Sequence, residues 1–210
     1  HCTSLLSFDV ATRCIVAANN IAQNRGKTYM AFVDLTQAFD CIIRILAERA
    51  MRRIGAGEEE IRHIRALYKN HAFQIKRDGE TGRRVKTTVG VKQGCQMSPL
   101  IYNATADLII SKLTAKGMEV RRITREGVEE TSKPSHLSYA DDLLIFADTI
   151  DELQGALQEL EKTFREHGLK MNFGKTHYMV MGKPEDVAAE PAKITVGNGE
   201  ITRAYSFTYL

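Results

Sequence analysis

The sequence predicts an α+β fold, an antiparallel sheet with helices on one face. Three observations predict it. Short, strongly apolar runs bounded by turn residues alternate with segments of helical periodicity. The longest helical segment, Thr149 to Gly168, carries a stop or start signal at each end. No repeat or low-complexity tract interrupts this order, and 210 residues with 43% hydrophobic and 26% charged content suit one globular core.

Residues 5–23 carry Leu5, Leu6, Val10, Cys14, Ala17, Ala18 and Ile21 at helical spacing, closed by the turn-prone Asn24-Arg25-Gly26. Thr28 to Val33 is too short for a helix and rich in β-compatible residues, so it reads as a buried strand ending at Asp34. Two helices are expected at about 37–53 and 58–70, separated by Gly55-Ala56-Gly57, the second with Ile61, Ile64, Leu67 and Tyr68 on one face. Phe73 to Arg77 and Arg84 to Val89 flank Asp78-Gly79-Glu80-Thr81-Gly82 as a hairpin. After a loop from Gly90 to Gln96, Ser98 is expected to cap a helix with Pro99 in its first position, running to about Lys116.

Residues 118–131 read as a second hairpin with Gly127 near its turn, and His136 to Ala147 as two apolar strands joined at Ala140-Asp141-Asp142. Thr149 and Glu152 form a capping box ahead of a helix that presents Leu153, Ala156, Leu157, Leu160 and Phe164 on one face. Strand-like pieces at 177–181, 194–196 and 205–209 follow, with Gly197-Asn198-Gly199 as a turn. Gly182 to Pro191, with its clustered prolines and acids, reads as a linker. The start at His1 and the stop within a strand-like piece suggest a fragment.

A net charge of +3 and a pI of about 8.6 permit a polyanionic partner without requiring one. Cys2, Cys14, Cys41 and Cys95 lie far apart, with no Cys-x-x-Cys pair and no histidines at zinc spacing. They read as reduced thiols of an intracellular protein, with nucleus and cytoplasm left open. No apolar run approaches the roughly 18 residues that a membrane span needs, so no membrane partner is expected.

Three carboxylates are held against apolar strands. Asp34 follows Ala31-Phe32-Val33, and Asp141-Asp142 stands between Leu137-Ser138-Tyr139 and Leu143-Leu144-Ile145-Phe146. Adjacent aspartates in a greasy hairpin repel one another and resist desolvation, so a cation is expected to compensate them. Hard oxygen donors suit Mg²⁺, which fills its remaining positions with water and substrate phosphates. Two such ions roughly 3.5–4 Å apart would support in-line nucleotidyl transfer. Taken singly, Asp141-Asp142 reads rather as a hairpin turn and Asp34 as a helix cap.

Phe32-Val33-Asp34-Leu35-Thr36-Gln37-Ala38-Phe39-Asp40, Gly90-Val91-Lys92-Gln93-Gly94-Cys95-Gln96-Met97-Ser98-Pro99-Leu100 and Tyr139-Ala140-Asp141-Asp142 resemble successive motifs of the reverse transcriptases of non-LTR (LINE-type) retrotransposons. Gly168-Leu169-Lys170-Met171-Asn172 with Lys175-Thr176, and Phe207-Thr208-Tyr209-Leu210, resemble two later motifs. The order is the family's, and the likeness spans nearly the whole chain. It implies an RNA-directed DNA polymerase: a polymerase palm plus partial fingers over residues 1–210, with outer fingers and thumb missing. Two Mg²⁺ ions, or Mn²⁺, would be its cofactors. An RNA template, a DNA primer and dNTPs would be its partners, beside further endonuclease and thumb domains of a parent polyprotein. The fragment alone is expected to be inactive.

Residue by residue, the resemblance implies that Asp34, Asp141 and Asp142 hold the metals and that Lys175 protonates the leaving pyrophosphate. It places Leu35, Phe39, Gln93, Gly94 and Tyr139 at the incoming nucleotide, with the Phe39 ring against the sugar where a 2′-hydroxyl would clash. From the residues alone, Phe39 is equally a core ring, Gln93-Gly94 is a helix-entry loop that Ser98-Pro99 explains by itself, and Lys175 reads rather as a solvated surface lysine. Lys76, Arg77, Arg83, Arg84 and Lys86 crowd the first hairpin, either to contact template phosphates or to protect its edges. Asn172 is expected to shape the turn before Lys175.

Gln96 departs from the proline common in the family, which bears on the shape of the loop between Gly94 and Ser98. Group II intron, telomerase-type and viral RNA polymerases are the rival enzymes; Ala38-Phe39-Asp40 favours the non-LTR group, and Ala140 disfavours the viral one. A catalytically inactive or domesticated copy that only binds nucleic acid or protein is the non-enzymatic alternative, against which the intact aspartates argue.

Overall fold

The structure is a computed structural model that describes residues 27–113, 117, 120–123, 129–132, 135–139 and 142–206. The helix expected at 5–23 lies outside them. The described residues divide into two compact units, one formed by those within His1–Thr36 and Ile110–Leu210 and the other by Gln37–Ile109.

The first unit is built on β1 (Thr28–Val33), β8 (His136–Tyr139), β9 (Asp142–Ala147), β10 (His177–Met181), β11 (Lys193–Val196) and β12 (Gly199–Arg203), in the order β11-β12-β10-β1-β9-β8. β1 lies at the centre and is buried along its whole length, which explains why it reads as a continuous apolar run. Its partners β9 and β10 are both antiparallel to it. The sheet departs from the expected pure antiparallel pattern at β10 and β12, which pair parallel through His177↔Thr202 and Tyr178↔Arg203. The chain between these two strands includes β11 and a short helix, length enough for a crossover. β6 (Val120–Ile123) and β7 (Glu129–Ser132) form the separate hairpin expected near Gly127.

The capping-box helix is observed at Ile150–Glu166, and it packs against β1, β9 and β11. The Thr149 hydroxyl accepts a hydrogen bond from the Glu152 N–H, satisfying one of the free donors of the first turn. Leu153, Ala156, Leu157, Leu160 and Phe164 are its buried face, as the periodicity requires. Gly168, at φ 79°, follows its end in the left-handed region.

One expectation near the end of this unit is corrected. The expected linker contains a helix, Pro184–Ala188, and Glu190 ties it down by accepting from Lys27 Nζ at 2.5 Å and from the Tyr29 hydroxyl at 2.7 Å. The Gly197-Asn198-Gly199 turn returns the chain at once onto β11 as the strand Gly199–Arg203, which the sequence pattern did not suggest; of the strand expected at 205–209, residues 207–209 lie outside the described residues.

The second unit contains α1 (Ala38–Cys41), α2 (Arg44–Arg53), α3 (Glu58–Tyr68) and all but the last residue of α4 (Ser98–Ile110). The single helix expected at 37–53 is broken. Ile42 and Ile43 have extended backbones, and the Ile42 carbonyl is turned outward to accept from the Gly90 N–H at 2.8 Å. Ser98 does not act as the expected side-chain cap; its hydroxyl donates to the Lys92 carbonyl at 2.6 Å. The hairpin forms as two short ladders, β2 (Ala72–Phe73) with β5 (Val85–Lys86) and β3 (Lys76–Arg77) with β4 (Glu80–Thr81). Its base is stapled by Arg44, which donates to the Thr87 and Gly90 carbonyls at 2.8 and 3.0 Å; burial lowers the pKa of its guanidinium. Cys41 and Cys95 are free thiols. No described helix is long and apolar enough to cross a membrane.

Candidate active site

The antiparallel register between β1 and β9 positions the first two acids. The last pair is Val33↔Leu143, so one step further along the same register sets Asp34 opposite Asp142. Both line one cleft of about 310 Å³, shared with Phe32, Val33, Leu143, Gly174, Lys175 and His177. The strand ends therefore bring together two acids that are far apart in sequence, and the turn after the capping-box helix adds Lys175 to them.

The backbone around Asp34 is fixed on both sides. Its N–H donates to the hydroxyl of Thr176, a fully buried residue, at 3.2 Å, and its carbonyl accepts from the Asn172 N–H at 2.9 Å. Leu35 bridges Met171, and the Thr36 N–H donates to the Lys170 carbonyl at 2.9 Å. The Asn172 carbonyl in turn accepts from the N–H groups of Lys175 and Thr176, closing the turn that carries the lysine. Thr176 and the Leu35–Met171 bridge had no role in the sequence reading. A hydroxyl that meets a backbone N–H from so distant a segment leaves no local pattern to find.

The donor set fits a hard divalent cation. Asp34 and Asp142 both offer oxygen, and like charges set opposite each other repel unless a cation lies between or near them. The Asp34 carboxylate makes no ion pair with a described residue. Among the described residues no group of three His, Cys, Asp or Glu side chains forms a metal cluster. Asp141 lies outside the described residues, and so does the side chain of Tyr139, whose backbone pairs with Asp142.

The remaining candidates lie in the helical unit, except Leu35, whose side chain is buried beside Asp34 so that its backbone is what it offers a ligand. Phe39 is half-buried, its ring stacked on Tyr102 with centroids 4.6 Å apart and planes 17° from parallel. Gln93 is exposed and donates from Nε2 to both carboxylate oxygens of Asp40 at 3.3 and 3.2 Å. Gly94 has φ 78° and open space around it. Lys76, Arg77, Arg83, Arg84 and Lys86 are all exposed on the hairpin, where Arg77 pairs with Asp78 at 3.4 Å and Arg84 donates to the Asn70 carbonyl at 3.1 Å.

Comparison with known proteins follows this geometry. The sequence model described as "Reverse transcriptase (RNA-dependent DNA polymerase)" matches residues 3–210. The chain is 28% identical to the Pol polyprotein of the type-1 retrotransposable element R2 of Nasonia vitripennis, over 93% of this chain and 20% of that protein. It is 26% identical to the type-2 R2DM polyprotein of Drosophila melanogaster, over 82% of this chain and 16% of that one. The chain thus spans about a fifth of the length of these curated relatives. Both are R2 elements, in line with the non-LTR resemblance read from the motifs. Among solved structures, apo telomerase of Candida tropicalis truncated from its C-terminal domain aligns with a TM-score of 0.60 at 16% identity, over 95% of this chain and 39% of that one. The RNA-dependent RNA polymerase of a human picobirnavirus aligns at 0.51 and 13%, over 82% and 30%. At such identities the likeness shows the palm-type fold alone.

Proposed function

The chain belongs to the reverse transcriptase (RNA-dependent DNA polymerase) family, and from that premise we propose that it carries the nucleotidyl-transfer centre of a retrotransposon polymerase that extends a DNA primer on an RNA template. The observation that carries the reading is the register placing Asp34 opposite Asp142 in a cleft shared with Lys175.

In this reading the sheet unit is the palm and the helical unit part of the fingers. Asp34, Asp142 and Asp141 would hold two Mg²⁺ ions. Bound there, the metals would supply activation of the primer 3′-hydroxyl and charge stabilisation on the leaving pyrophosphate. The chain's own residues do the rest. The Thr176 and Asn172 contacts keep Asp34 from drifting as charge moves through the site. Lys175 Nζ carries the proton that the pyrophosphate oxygen takes as its bond to the α-phosphorus breaks. By the family resemblance, the Leu35 backbone, Phe39, Gln93, Gly94 and Tyr139 would each serve the incoming dNTP, and the Phe39 ring would exclude a 2′-hydroxyl. The five hairpin cations meet template phosphates. Endonuclease and thumb domains would complete the whole protein.

Primer extension by the full-length protein on an RNA template with Mg²⁺ tests this. Asp142→Asn preserves size while removing the charge, and it should reduce extension at least a thousandfold with the thermal transition intact. An Asp142→Asn protein that extends primers at the unaltered rate would refute the assignment.

A further inference from the structure

Within the helical unit, Phe39 and Asp40 are joined to the loop Gly90–Gly94 at several points. The Phe39 carbonyl accepts from the Val91 N–H at 2.9 Å, the next carbonyl contact being Ile42 with Gly90. The Gln93 amide donates to both oxygens of Asp40. Gly90 lies so near the Asp40 backbone that a Cβ there would sit 2.7 Å from the Asp40 carbonyl oxygen. Four-residue α1 is too short to hold its own geometry, so these contacts set where Phe39 and Asp40 stand.

The side-chain link differs in kind from the others. The backbone bonds fix the base of the loop, whereas Gln93 lies beyond them on its exposed limb, near the left-handed Gly94. Without a partner an exposed glutamine samples several rotamers, and ordering it costs entropy at each binding event. A carboxylate accepting from its Nε2 removes part of that freedom before a ligand arrives. Because both side chains are exposed, the bond contributes little to folding. Its effect therefore falls on position.

We infer that Asp40 is a positioning residue: its carboxylate holds Gln93, so that the Phe39 segment and the Gln93-Gly94 limb present themselves to the incoming nucleotide as one preformed surface. The inference rests on the polymerase reading, in which Phe39 and Gln93 meet the nucleotide.

Steady-state primer extension by the full-length protein tests it with wild type, Asp40→Ala, Asp40→Asn, Gln93→Ala and the Asp40→Ala/Gln93→Ala double variant. Asp40→Ala should raise KM for dNTP about three- to tenfold while kcat stays within about twofold, since one charge-assisted hydrogen bond is at stake. Asp40→Asn keeps an acceptor oxygen and should recover most of the loss. The double variant should be no worse than Gln93→Ala, because both changes break the same contact. Additive losses, a loss confined to kcat, or an Asp40→Ala KM equal to wild type would overturn the inference while leaving the polymerase standing. Wild-type protein that fails to extend any primer on RNA would instead sink the functional reading and this inference with it. Thermal melts of each variant separate position from folding: an Asp40→Ala effect that tracks a lowered Tm is structural and counts against the proposal.

Discussion

Gly90→Ala isolates the close approach on which the loop depends. Gly90 and Gly94 stand four positions apart in one loop with nearly equal backbone angles, φ 83° and 78°, but a Cβ at Gly94 would meet nothing within 4 Å. At Gly90 it would lie 2.7, 3.0 and 3.1 Å from the carbonyl oxygen, Cα and carbonyl carbon of Asp40, all backbone atoms that cannot swing aside as a side-chain tip can. Placing alanine in the left-handed region costs roughly 1–2 kcal/mol at either position. The enforced contact adds roughly 1–3 kcal/mol at Gly90 alone. Gly94→Ala should therefore lower Tm by about 2–8 °C, and Gly90→Ala by several degrees more, for a chain of this size. Paired melts followed by far-UV circular dichroism under one set of conditions measure the difference, and the shared backbone cost cancels. A Gly90→Ala Tm equal to or above that of Gly94→Ala would refute the claim that the Asp40 backbone fills the space beside Gly90.

Stability should follow a pH window set by the Glu190 cluster. Burial alone would raise the Glu190 carboxyl, but hydrogen bonds from Lys27 and Tyr29 outweigh it and hold the group below its usual value of 4.5, so its contribution is present above that pH and is lost as pH falls through the lower folded value. Burial, helped by the bond to Glu190, pushes Tyr29 up to about 12, so its contribution is full below pH 10 and is lost as pH climbs from there towards 12. Tm should plateau between these limits, and Glu190→Gln should lower it at pH 7 more than at pH 3; equal losses at both would contradict the ionised cluster. Phe39→Val removes the ring that stacks on Tyr102 and should raise ribonucleotide use relative to deoxynucleotide at least tenfold in competitive incorporation. Unchanged discrimination would return Phe39 to the role of a core ring.

Legibility in the sequence tracks how local the determining contact is. The capping-box helix could be read whole, from the Thr149 cap through its buried face to Gly168, because each signal lies within a turn of the residue it controls. The acidic strand ends were readable for the same reason, as polar residues abutting short apolar runs. The break at Ile42-Ile43 was not, because it exists to let a carbonyl reach Gly90 from another segment. Ser98 carried every mark of a helix cap, yet the Lys92 carbonyl competes for its hydroxyl. Of the candidate site, Asp34, Asp142 and Lys175, which the structure brings to one cleft, stood out in the sequence by type and by family likeness. The anchors behind them, Thr176 and Met171, are ordinary residues whose meaning lies in which distant backbone they touch.

The direction of the central strands matters more to the site than any one of its side chains. Asp34 follows the carboxyl end of β1, and Asp142 opens the amino end of β9. Adjacent antiparallel strands bring those two ends together, whereas a parallel pairing of the same six-residue strands would part them by roughly 20 Å at about 3.3 Å per residue. Neighbouring carboxylates cost stability in a sheet that gains most by pairing unlike or apolar partners at such positions. β1 buries every residue it has, so the acids stand at an end of the strand pair, where the cleft gives water and a cation access. Topology thus concentrates the charge in a cleft at one end of the strand pair while apolar pairs from Val33↔Leu143 inward hold the strands in register, and the stability given up at the acids is recovered along the ladder behind them.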